Sequence, residues 1–566
     1  MIIAAMKSSG VGDWWARKMA WASCGACRAP LAWAVLILMG LLFDGGLVVA
    51  QDLDSEAVAE RPNIVIILAD DLGWSDLGCM GSEIQTPRLD ALANAGLRYE
   101  QFYNTGRCWP TRGALMSGFY AQPIRRDKLP GITSGGGGQR PAWARLLPAH
   151  LATVGYHSYH VGKWHIDSTP LATGFEHSYR LDDHGRFFSP RRHFEDDDRL
   201  PVPEADSGFY VTTEMANRAI SMLNRHASEH GDDPFLLYLA FTAPHFPLHA
   251  LPEDIAIYRD RYLEGWQRLR EERFAKQREL GFQLPELSEV EAEIGPPYHF
   301  PEALEVLGPG EVNRPLAWES MNDEQRRFQA TKMAIHAAMI HRLDIEIGRV
   351  VDRLKELEEF ENTIIVFLSD NGASAEIMVR DDGHDPQAAP GSAASHLCLG
   401  PGFSNAANTP FRRHKTWVHE GGTRTPLIVH WPEGIPESIR GEIRRTPGHV
   451  IDIVPTMLEL AGAVPPDEPD VPALMGRSLV PSFSRDADLD REYLWWSHEG
   501  NKALRVGDWK AVTDADGPWE LFDLRADPTE SHDLSAEHPD RLREMTLRWQ
   551  AIEDDYLELA SRDLEK

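Results

Sequence analysis

Two acidic pairs, Asp70-Asp71 and Asp370-Asn371, each close a short apolar run, and between them they offer only oxygen. Hard oxygen ligands suit Ca²⁺ or Mg²⁺, whereas zinc takes His or Cys among its donors. Taken singly, Asp-Asp and Asp-Asn-Gly are ordinary strand-to-turn residues. The metal reading rests on their joint occurrence and on basic residues nearby in the topology: Arg112, Lys163 and Lys415. Three carboxylates in one site carry negative charge that calls for a cation. Three basic side chains with a helix N-terminus can hold a tetrahedral dianion even in an acidic protein. His165 and His245 add proton donors or acceptors, with a structural role the alternative for each; His150, His157 and His160 read as structural. Cys108 opens a segment in which Pro110 suits a first helical turn and Gly118 suits its end. Cys108 is therefore predicted at a helix N-terminus, where the dipole and free N–H groups attract an anion. Arg112 lies four residues on, on the same face. A small buried thiol, the commonest fate of a lone cysteine, is the alternative.

These residues need elements to bring them together. Asn63–Leu68 ends in Ala69-Asp70-Asp71, Tyr156–Val161 in Gly162-Lys163-Trp164-His165, Phe235–Ala240 in Phe241-Thr242-Ala243-Pro244-His245, and Thr363–Leu368 in Ser369-Asp370-Asn371-Gly372; Leu427–Trp431 is a fifth run. Short β-branched and aromatic runs bounded by turn residues read as buried strands. A helical pattern passes through Ile335, Met339, Leu343, Ile347, Val350, Leu354 and Leu357. Strands alternating with helices mean an α/β fold, a large, mostly parallel sheet flanked by helices. Ligands of such sheets bind outside the carboxyl ends of the strands. One ionisable strand end is commonplace; four point to a single shared site. Past a linker at Pro465–Asp470, strands at Tyr493–Ser497, Lys502–Val506, Trp509–Val512 and Glu520–Asp523 predict a small antiparallel sheet, followed by a helix over Pro539–Leu557. This divides the chain into a catalytic domain over 61–465 and a C-terminal α+β part over 466–566. Within the first, about 251–319 reads as a mostly helical insertion beside the cleft, its charge run a solvated face. Gly135–Gly138 reads as a surface loop, since no Lys-Ser/Thr follows.

Around Cys108 the sequence resembles a known family. Cys108-Trp109-Pro110-Thr111-Arg112-Gly113-Ala114-Leu115-Met116-Ser117-Gly118 closely resembles the signature of formylglycine-dependent sulfatases, Cys-x-Pro-Ser/Ala-Arg followed by a Leu-x-Thr/Ser-Gly ending. The likeness runs from about Arg61 to Leu534. Asn63–Asp71 with Gly73 is similar to the family's opening strand and metal pair; Gly162–His165, Ala243–His245 and Ser369–Gly372 are similar to its other active-site turns. Pro410–Pro426 resembles the Lys-bearing segment that ends in Glu-Gly-Gly. His449–Gly462, Leu494–Val512 and Glu520–Leu534 resemble the C-terminal part of bacterial arylsulfatase-type sequences. Thr111 stands where the family has Ser or Ala, and keeps the side chain small.

The resemblance implies an alkaline phosphatase-like fold and a sulfuric ester hydrolase that cleaves aryl or carbohydrate sulfates. It implies that a maturase oxidises Cys108 to formylglycine. One Ca²⁺ would be bound by Asp70, Asp71, Asp370, Asn371 and the modified Cys108. Arg112 would steady the formylglycine, Lys163 and Lys415 would hold sulfate oxygens, His165 would hydrogen-bond a formylglycine hydroxyl, and His245 would sit at the leaving group. A hydrated aldehyde has two hydroxyls on one carbon. One attacks sulfur and displaces the alcohol, giving a covalent sulfate ester; deprotonation of the other re-forms the aldehyde and expels sulfate. Ca²⁺ and the lysines stabilise charge on the sulfuryl oxygens.

Composition bounds the rest. At 566 residues the chain has room for two to four domains. Apolar residues at 42% and charged residues at 25% exclude a fully disordered, collagenous or coiled-coil chain. A net charge of −30 argues against a general nucleic-acid or anionic-membrane binder, because phosphate backbones demand a basic surface. Any anion must be taken in a local pocket of Lys and Arg. Residues 1–50 read as a secretory signal peptide: Lys7, Arg17, Lys18 and Arg28 are followed by the apolar run Leu31–Phe43, too short to span a bilayer comfortably, and by Val48-Val49-Ala50. An uncleaved anchor is the alternative. Cleavage predicts an exported protein, periplasmic or secreted, with no integral membrane segment. Five cysteines do not make a disulfide scaffold. Beyond Cys24 and Cys27 in the leader, three remain, Cys79, Cys108 and Cys398, so at least one is unpaired within the chain.

Two other functions stay open at this level. One is phosphate or phosphonate ester hydrolysis on the same fold; phosphatases of that group usually use two metals with His ligands, and the oxygen-only set argues against it. The other is a sulfated-glycan binding protein in which Cys108 remains a thiol. The identity of the substrate lies in the cleft lined by Gly131–Gly138, Asp182–Asp198 and 251–319 rather than in the reacting centre.

Overall fold

The computed structural model describes residues 61–204, 207–465, 468–515, 517–562 and 564. The predicted leader over 1–50, and Pro466 and Asp467 of the predicted linker, lie outside them. One sheet has eleven strands. In chain order they are β1 (Asn63–Ala69), β2 (Leu97–Tyr103), β3 (His157–Gly162), β4 (His177–Leu181), β5 (His193–Glu195), β6 (Asp198–Arg199), β7 (Phe235–Ala240), β8 (Thr363–Ser369), β9 (Arg424–His430), β10 (Ile443–Arg444) and β11 (Gly448–His449). Their spatial order is β10, β2, β9, β8, β1, β7, β3, β4, β5, β6, with β11 also against β2. The central strands β8, β1, β7, β3 and β4 are parallel neighbours. β9 runs against both β8 and β2. The fold is α/β with a mostly parallel sheet, as the run-and-turn pattern predicts.

Alternation within β1 shows how the sheet is buried on both faces. Val65 and Ile67 pack into one apolar cluster, with Ile335, Met339, Leu343, Ile347, Val350 and Leu354 of the helix Asp323–Glu356. Ile64, Ile66 and Leu68 pack into the other, with Leu115 and Met116 of the helix Cys108–Ser117. A side-chain period of two, with both faces covered, is what a parallel sheet requires. The second face is also where the C-terminal part docks. Its four strands, β12 (Leu494–His498), β13 (Asn501–Val506), β14 (Trp509–Thr513) and β15 (Glu520–Asp523), form an antiparallel sheet. Trp495, Leu504, Ala511 and Leu521 from that sheet, with Trp549 and Tyr556 from the helix Pro539–Ser561, belong to the same apolar cluster as Ile64 and Leu68.

The segment 251–319 is helical over Pro252–Tyr258, Gly265–Glu279 and Pro301–Leu307, and irregular from 281 to 300. Its charge run is not simply a solvated face. On the Gly265–Glu279 helix, Arg270, Arg273 and Gln277 are buried. Arg273 reaches Asp76 Oδ1 at 2.8 Å and Glu83 Oε2 at 2.9 Å. The spacing of these residues marks a polar stripe turned inward. The long helix begins twelve residues before Ile335, at Asp323, where Asn322 and Gln325 form a capping box. Among the described residues no helix is long and apolar enough to cross a membrane.

Candidate active site

Strand register sets the four ionisable turns level with one another. Ala69 pairs with Ser369, Leu68 with Ala240, and Gly162 with Ala240. β8, β1, β7 and β3 therefore end in one row, about 4.8 Å apart from strand to strand. The residues that follow, Asp370-Asn371, Asp70-Asp71, His245 and Lys163, enter the same space. Gly162, at φ +112°, makes this possible on β3: a Cβ there would lie 2.0 Å from the Ala240 carbonyl oxygen. Asp71 and His165 also take positive φ, 68° and 55°, rare for residues with a side chain. At Asp71 this breaks the strand alternation, so two consecutive carboxylates both serve the site. The reversed direction of β9 completes the arrangement. The segment before β9, which carries Lys415, lies at the carboxyl ends of its neighbours.

The helix Cys108–Ser117 supplies the remaining parts. Arg107 is its N-cap in extended conformation, and Cys108 is its first residue, buried at 3% exposure. The approach is fixed by Thr111, whose hydroxyl accepts from the Thr105 N–H at 3.1 Å and lies 2.8 Å from Thr105 Oγ1. Asn104 Oδ1 accepts from the Gly106 N–H at 2.8 Å. Arg112 donates from Nε and Nη2 to Asp370 Oδ2, at 3.0 and 2.8 Å, and from Nη1 to the Lys163 carbonyl at 2.7 Å. One guanidinium thus ties β8 to β3 beneath Cys108.

Each carboxylate has a basic partner. Lys163 Nζ is 2.6 Å from Asp70 Oδ2, and Lys415 Nζ is 2.7 Å from Asp71 Oδ1. Asn371 Nδ2 donates to Asp71 Oδ1 at 2.7 Å. The negative excess inferred from the sequence is therefore already met by protein cations, and the case for a metal rests elsewhere. Asp70 Oδ1 and Asn371 Oδ1 are buried acceptors without a hydrogen-bond partner. Donor atoms of Asp70, Cys108 and Asp370 lie within 4.8 Å of one another, as do those of Asp70, Asp71 and His245. Unpaired buried oxygens are costly unless a cation or donor meets them. The set is oxygen-rich, which fits a hard divalent ion.

Burial is the largest influence on these groups. It pushes Asp70 up, but Lys163, His245, Arg112 and Lys415 outweigh it and hold Asp70 below its ordinary value. Burial wins at Asp71, which is raised despite Lys415, and at Asp370, which burial and Asp70 push up to about 7 against Arg112. Burial also raises the Cys108 thiol more than Lys163 and Lys415 lower it. His165 and His245 are both driven down by burial, with Lys163 adding to the effect. His245 Nδ1 faces the Phe246 carbonyl, and its Nε2 is 3.8 Å from Asp71 Oδ2. His165 Nδ1 is buried without a partner.

Residues not anticipated from the sequence also belong here. Glu376, pulled down to about 2 because Lys415 and Arg107 outweigh its burial, is 3.1 Å from each of those two cations. The Arg107 guanidinium lies over the rings of Trp109 and Tyr298, 5.1 and 5.2 Å from their centroids. Tyr298 brings the 251–319 segment to the cleft, and donates to Glu499 at 2.7 Å. His184 stands between His165 and His245, with ring centroids 5.6 and 5.5 Å away. Cys79 and Cys398 are buried away from Cys108, and none of the three is bonded to another cysteine. His160 bonds Ser178 and is structural, as read from the sequence.

Known proteins resemble this chain along most of its length. The sulfatase family model matches residues 62–463, and the model for the C-terminal region of N-sulphoglucosamine sulphohydrolase matches 412–550. An uncharacterised sulfatase of Schizosaccharomyces pombe is 32% identical, covering 88% of this chain and 95% of its own. The arylsulfatase of Klebsiella aerogenes is 29% identical, covering 76% of this chain and 92% of its own. Among solved structures, Ps i-CgsB in complex with k-i-k-neocarrahexaose has a TM-score of 0.62 at 24% identity, covering 87% of this chain and 93% of that one, a likeness of fold.

Proposed function

We propose, from the premise that the chain belongs to the sulfatase family and is a sulfuric ester hydrolase, that it works through a formylglycine made from Cys108 and a bound Ca²⁺. The observation that carries this reading is the place of Cys108, buried at a helix start with its sulfur within 4.8 Å of Asp70 and Asp370 donor atoms. Left as cysteine, the residue is pushed by burial toward the neutral thiol, which is a poor nucleophile. Formylglycine supplies a hydrated aldehyde, whose hydroxyl is the nucleophile toward sulfur. Asp70, Asp71, Asp370 and Asn371 would hold the Ca²⁺, which supplies positive charge to the sulfuryl oxygens.

The chain's own residues do the rest. Lys163 spends one of its three donors on Asp70 and can turn the others to sulfuryl oxygens. Lys415, anchored between Asp71 and Glu376, serves the same group. Arg112 fixes Asp370 and the Lys163 turn, which preorganises the site rather than following the reaction. His165, with Nδ1 unpaired, is free to hydrogen-bond a hydroxyl on residue 108. His245 takes the leaving-group side. Its Nδ1 is engaged by the Phe246 carbonyl, which leaves Nε2 for the departing oxygen. To donate there it must carry a second proton, which burial opposes and a bound sulfuryl anion favours. In this reading a maturase acts on the Cys108 motif before the site closes, and the protein is exported after loss of 1–50.

Mass spectrometry of the Cys108 peptide, from a host with a working maturase, tests the proposal. The peptide should have lost two hydrogens and exchanged sulfur for oxygen, and Cys108→Ala should fold but be inactive on 4-nitrophenyl sulfate. Full turnover by that variant overturns the mechanism. Matched 4-nitrophenyl sulfate and phosphate assays separate sulfate from phosphate hydrolysis, and the sulfate should be strongly preferred.

A further inference from the structure

The four cations of the reacting centre are all ion-paired: Arg107 with Glu376, Arg112 with Asp370, Lys163 with Asp70, Lys415 with Asp71. One cation close to them is not. Arg380 is exposed and makes no ion pair among the described residues, although it precedes two aspartates in the chain. Those aspartates are taken elsewhere: Asp382 by Arg186 at 2.8 Å and Arg191 at 3.0 Å, Asp381 by Arg186 at 3.8 Å. The charge nevertheless has a fixed seat. Its guanidinium carbon lies 5.0 Å from the centroid of the buried Phe246 ring. Lys415 Nζ lies 5.5 Å from the same centroid, and the His245 ring stacks on Phe246 with centroids 4.2 Å apart. Arg380 is thus at most two cation–ring spacings from Lys415, on the order of 10 Å. His184, whose ring centroid is 5.5 Å from that of His245, is near enough to feel the Arg380 charge, which links Arg380 to the histidine proposed at the leaving group. In a chain of net charge −30, an unpaired guanidinium held beside a reacting centre is a local exception to the field.

We propose that Arg380 is a second anion subsite, which makes the substrate a sulfate ester whose leaving group carries a further carboxylate or sulfate, about one sugar ring from the ester cleaved. The inference rests on the sulfatase reading and narrows it to polyanionic sulfated sugars. The guanidinium fork fits a carboxylate or sulfate in two-point contact, with Phe246 holding its plane. His184 and His396, the ionisable neighbours that feel the Arg380 charge, are both pushed down by burial and do not compete with it for the anion.

The test uses pairs of sulfated sugars that differ only by the second charge, in the glucosamine, galactosamine and galactose series. Each is assayed as substrate and as competitor of 4-nitrophenyl sulfate hydrolysis, with wild type, Arg380→Ala and Arg380→Lys. In at least one series wild type should favour the doubly charged member about 10–100-fold in kcat/KM or in inhibition constant, the range of a charge-assisted contact. Arg380→Ala should erase that preference and Arg380→Lys should restore part of it. Turnover of 4-nitrophenyl sulfate should change less than about threefold. Unchanged preference in Arg380→Ala overturns the subsite. So does a wild type that hydrolyses the aryl ester but favours the doubly charged member in no series. Absence of all sulfatase activity, with Cys108 converted, strikes the underlying reading instead.

Discussion

In the proposed mechanism Lys163 would hold the group that is transferred and His245 would serve the group that leaves, so their loss should show on different substrates. A nitrophenolate departs without a proton, because its charge is delocalised; a sugar alkoxide does not. General acid help is worth roughly 10²–10⁴-fold where the leaving group is basic. His245→Ala should therefore depress kcat/KM for a sugar sulfate far more than for 4-nitrophenyl sulfate, while Lys163→Ala should depress both alike. An equal loss on both substrates in His245→Ala would assign that ring to positioning. At this scale the sequence is informative wherever a residue sits in a compact motif, as Cys108 and Arg112 do, or directly after a strand, as Asp70, Asp370, Lys163 and His245 do. It is silent on Glu376, a lone acid in the loop after β8 whose role comes from facing Lys415 and Arg107 across the fold. His184 is hidden for the same reason: nothing in the local pattern of Asp182–Asp198 separates it from other loop histidines.

The Gly265–Glu279 helix carries both solvent-facing and inward-facing ion pairs. One of its exposed arginines, Arg268, pairs with Glu264 and Glu272 at 3.6 and 3.0 Å, while Arg273, 1% exposed, closes an inward network with Asp76 and Glu83. Arg268→Ala should shift stability by less than about 0.5 kcal/mol. Arg273→Met takes the guanidinium from buried Asp76 and partly buried Glu83, leaving them only His336 and the Tyr262 hydroxyl, and should cost about 3 kcal/mol at neutral pH, read from the urea midpoint. The pH dependence has a definite sign. Burial pushes Asp76 and Glu83 up, but Arg273 and, for Asp76, His336 hold both below their ordinary values. A depressed carboxyl stabilises above its unfolded value, about 4, and that contribution disappears as pH falls through the folded value. The penalty of Arg273→Met should therefore shrink on acidification; a constant penalty from pH 7 to 3 would show that packing, not charge, sets it. Elements were legible where burial is one-sided or complete, as in β1, β7 and β8. They were hidden where polar residues are buried in pairs. β2 carries buried Arg98 and Glu100 and breaks the apolar pattern. The first turns of the long helix bury Gln329, Lys332 and His336 beside its apolar face. The direction of β9 has no local signal at all, yet it is what delivers Lys415.

For the molecule as a whole, the question is how a chain of net charge −30 comes to accept an anion. In the site, Asp70, Asp71, Asp370 and Glu376 face Arg107, Arg112, Lys163 and Lys415, four carboxyl groups against four cations. A divalent cation would turn that balance into an excess of two positive charges, enclosed among buried groups where screening by salt is weak. The same ion would bind the folded chain only, so it should stabilise it by about 2.7 kcal/mol at a hundred times its dissociation constant. Wild type stripped with chelator should lose activity and melt a few degrees lower, and Ca²⁺ should restore both. Asp370→Ala alone cannot decide the matter, because it also leaves Arg112 buried without its carboxylate, at a cost of about 3–5 kcal/mol with or without metal. Asn371→Ala is the cleaner partner. It removes an unpaired oxygen and no ion pair, and the loss of its Nδ2 hydrogen bonds to Asp71 and Gly372 should cost only about 1–3 kcal/mol, so its own metal-free Tm serves as the baseline. The discriminating measurement is the rise in Tm on adding Ca²⁺: present in wild type, much reduced in Asn371→Ala, absent in Asp370→Ala. A wild type that is fully active after stripping, or an Asp370→Ala that keeps the full rise, would mean that the four protein cations hold the sulfuryl group unaided and that the orphaned oxygens of Asp70 and Asn371 serve another donor.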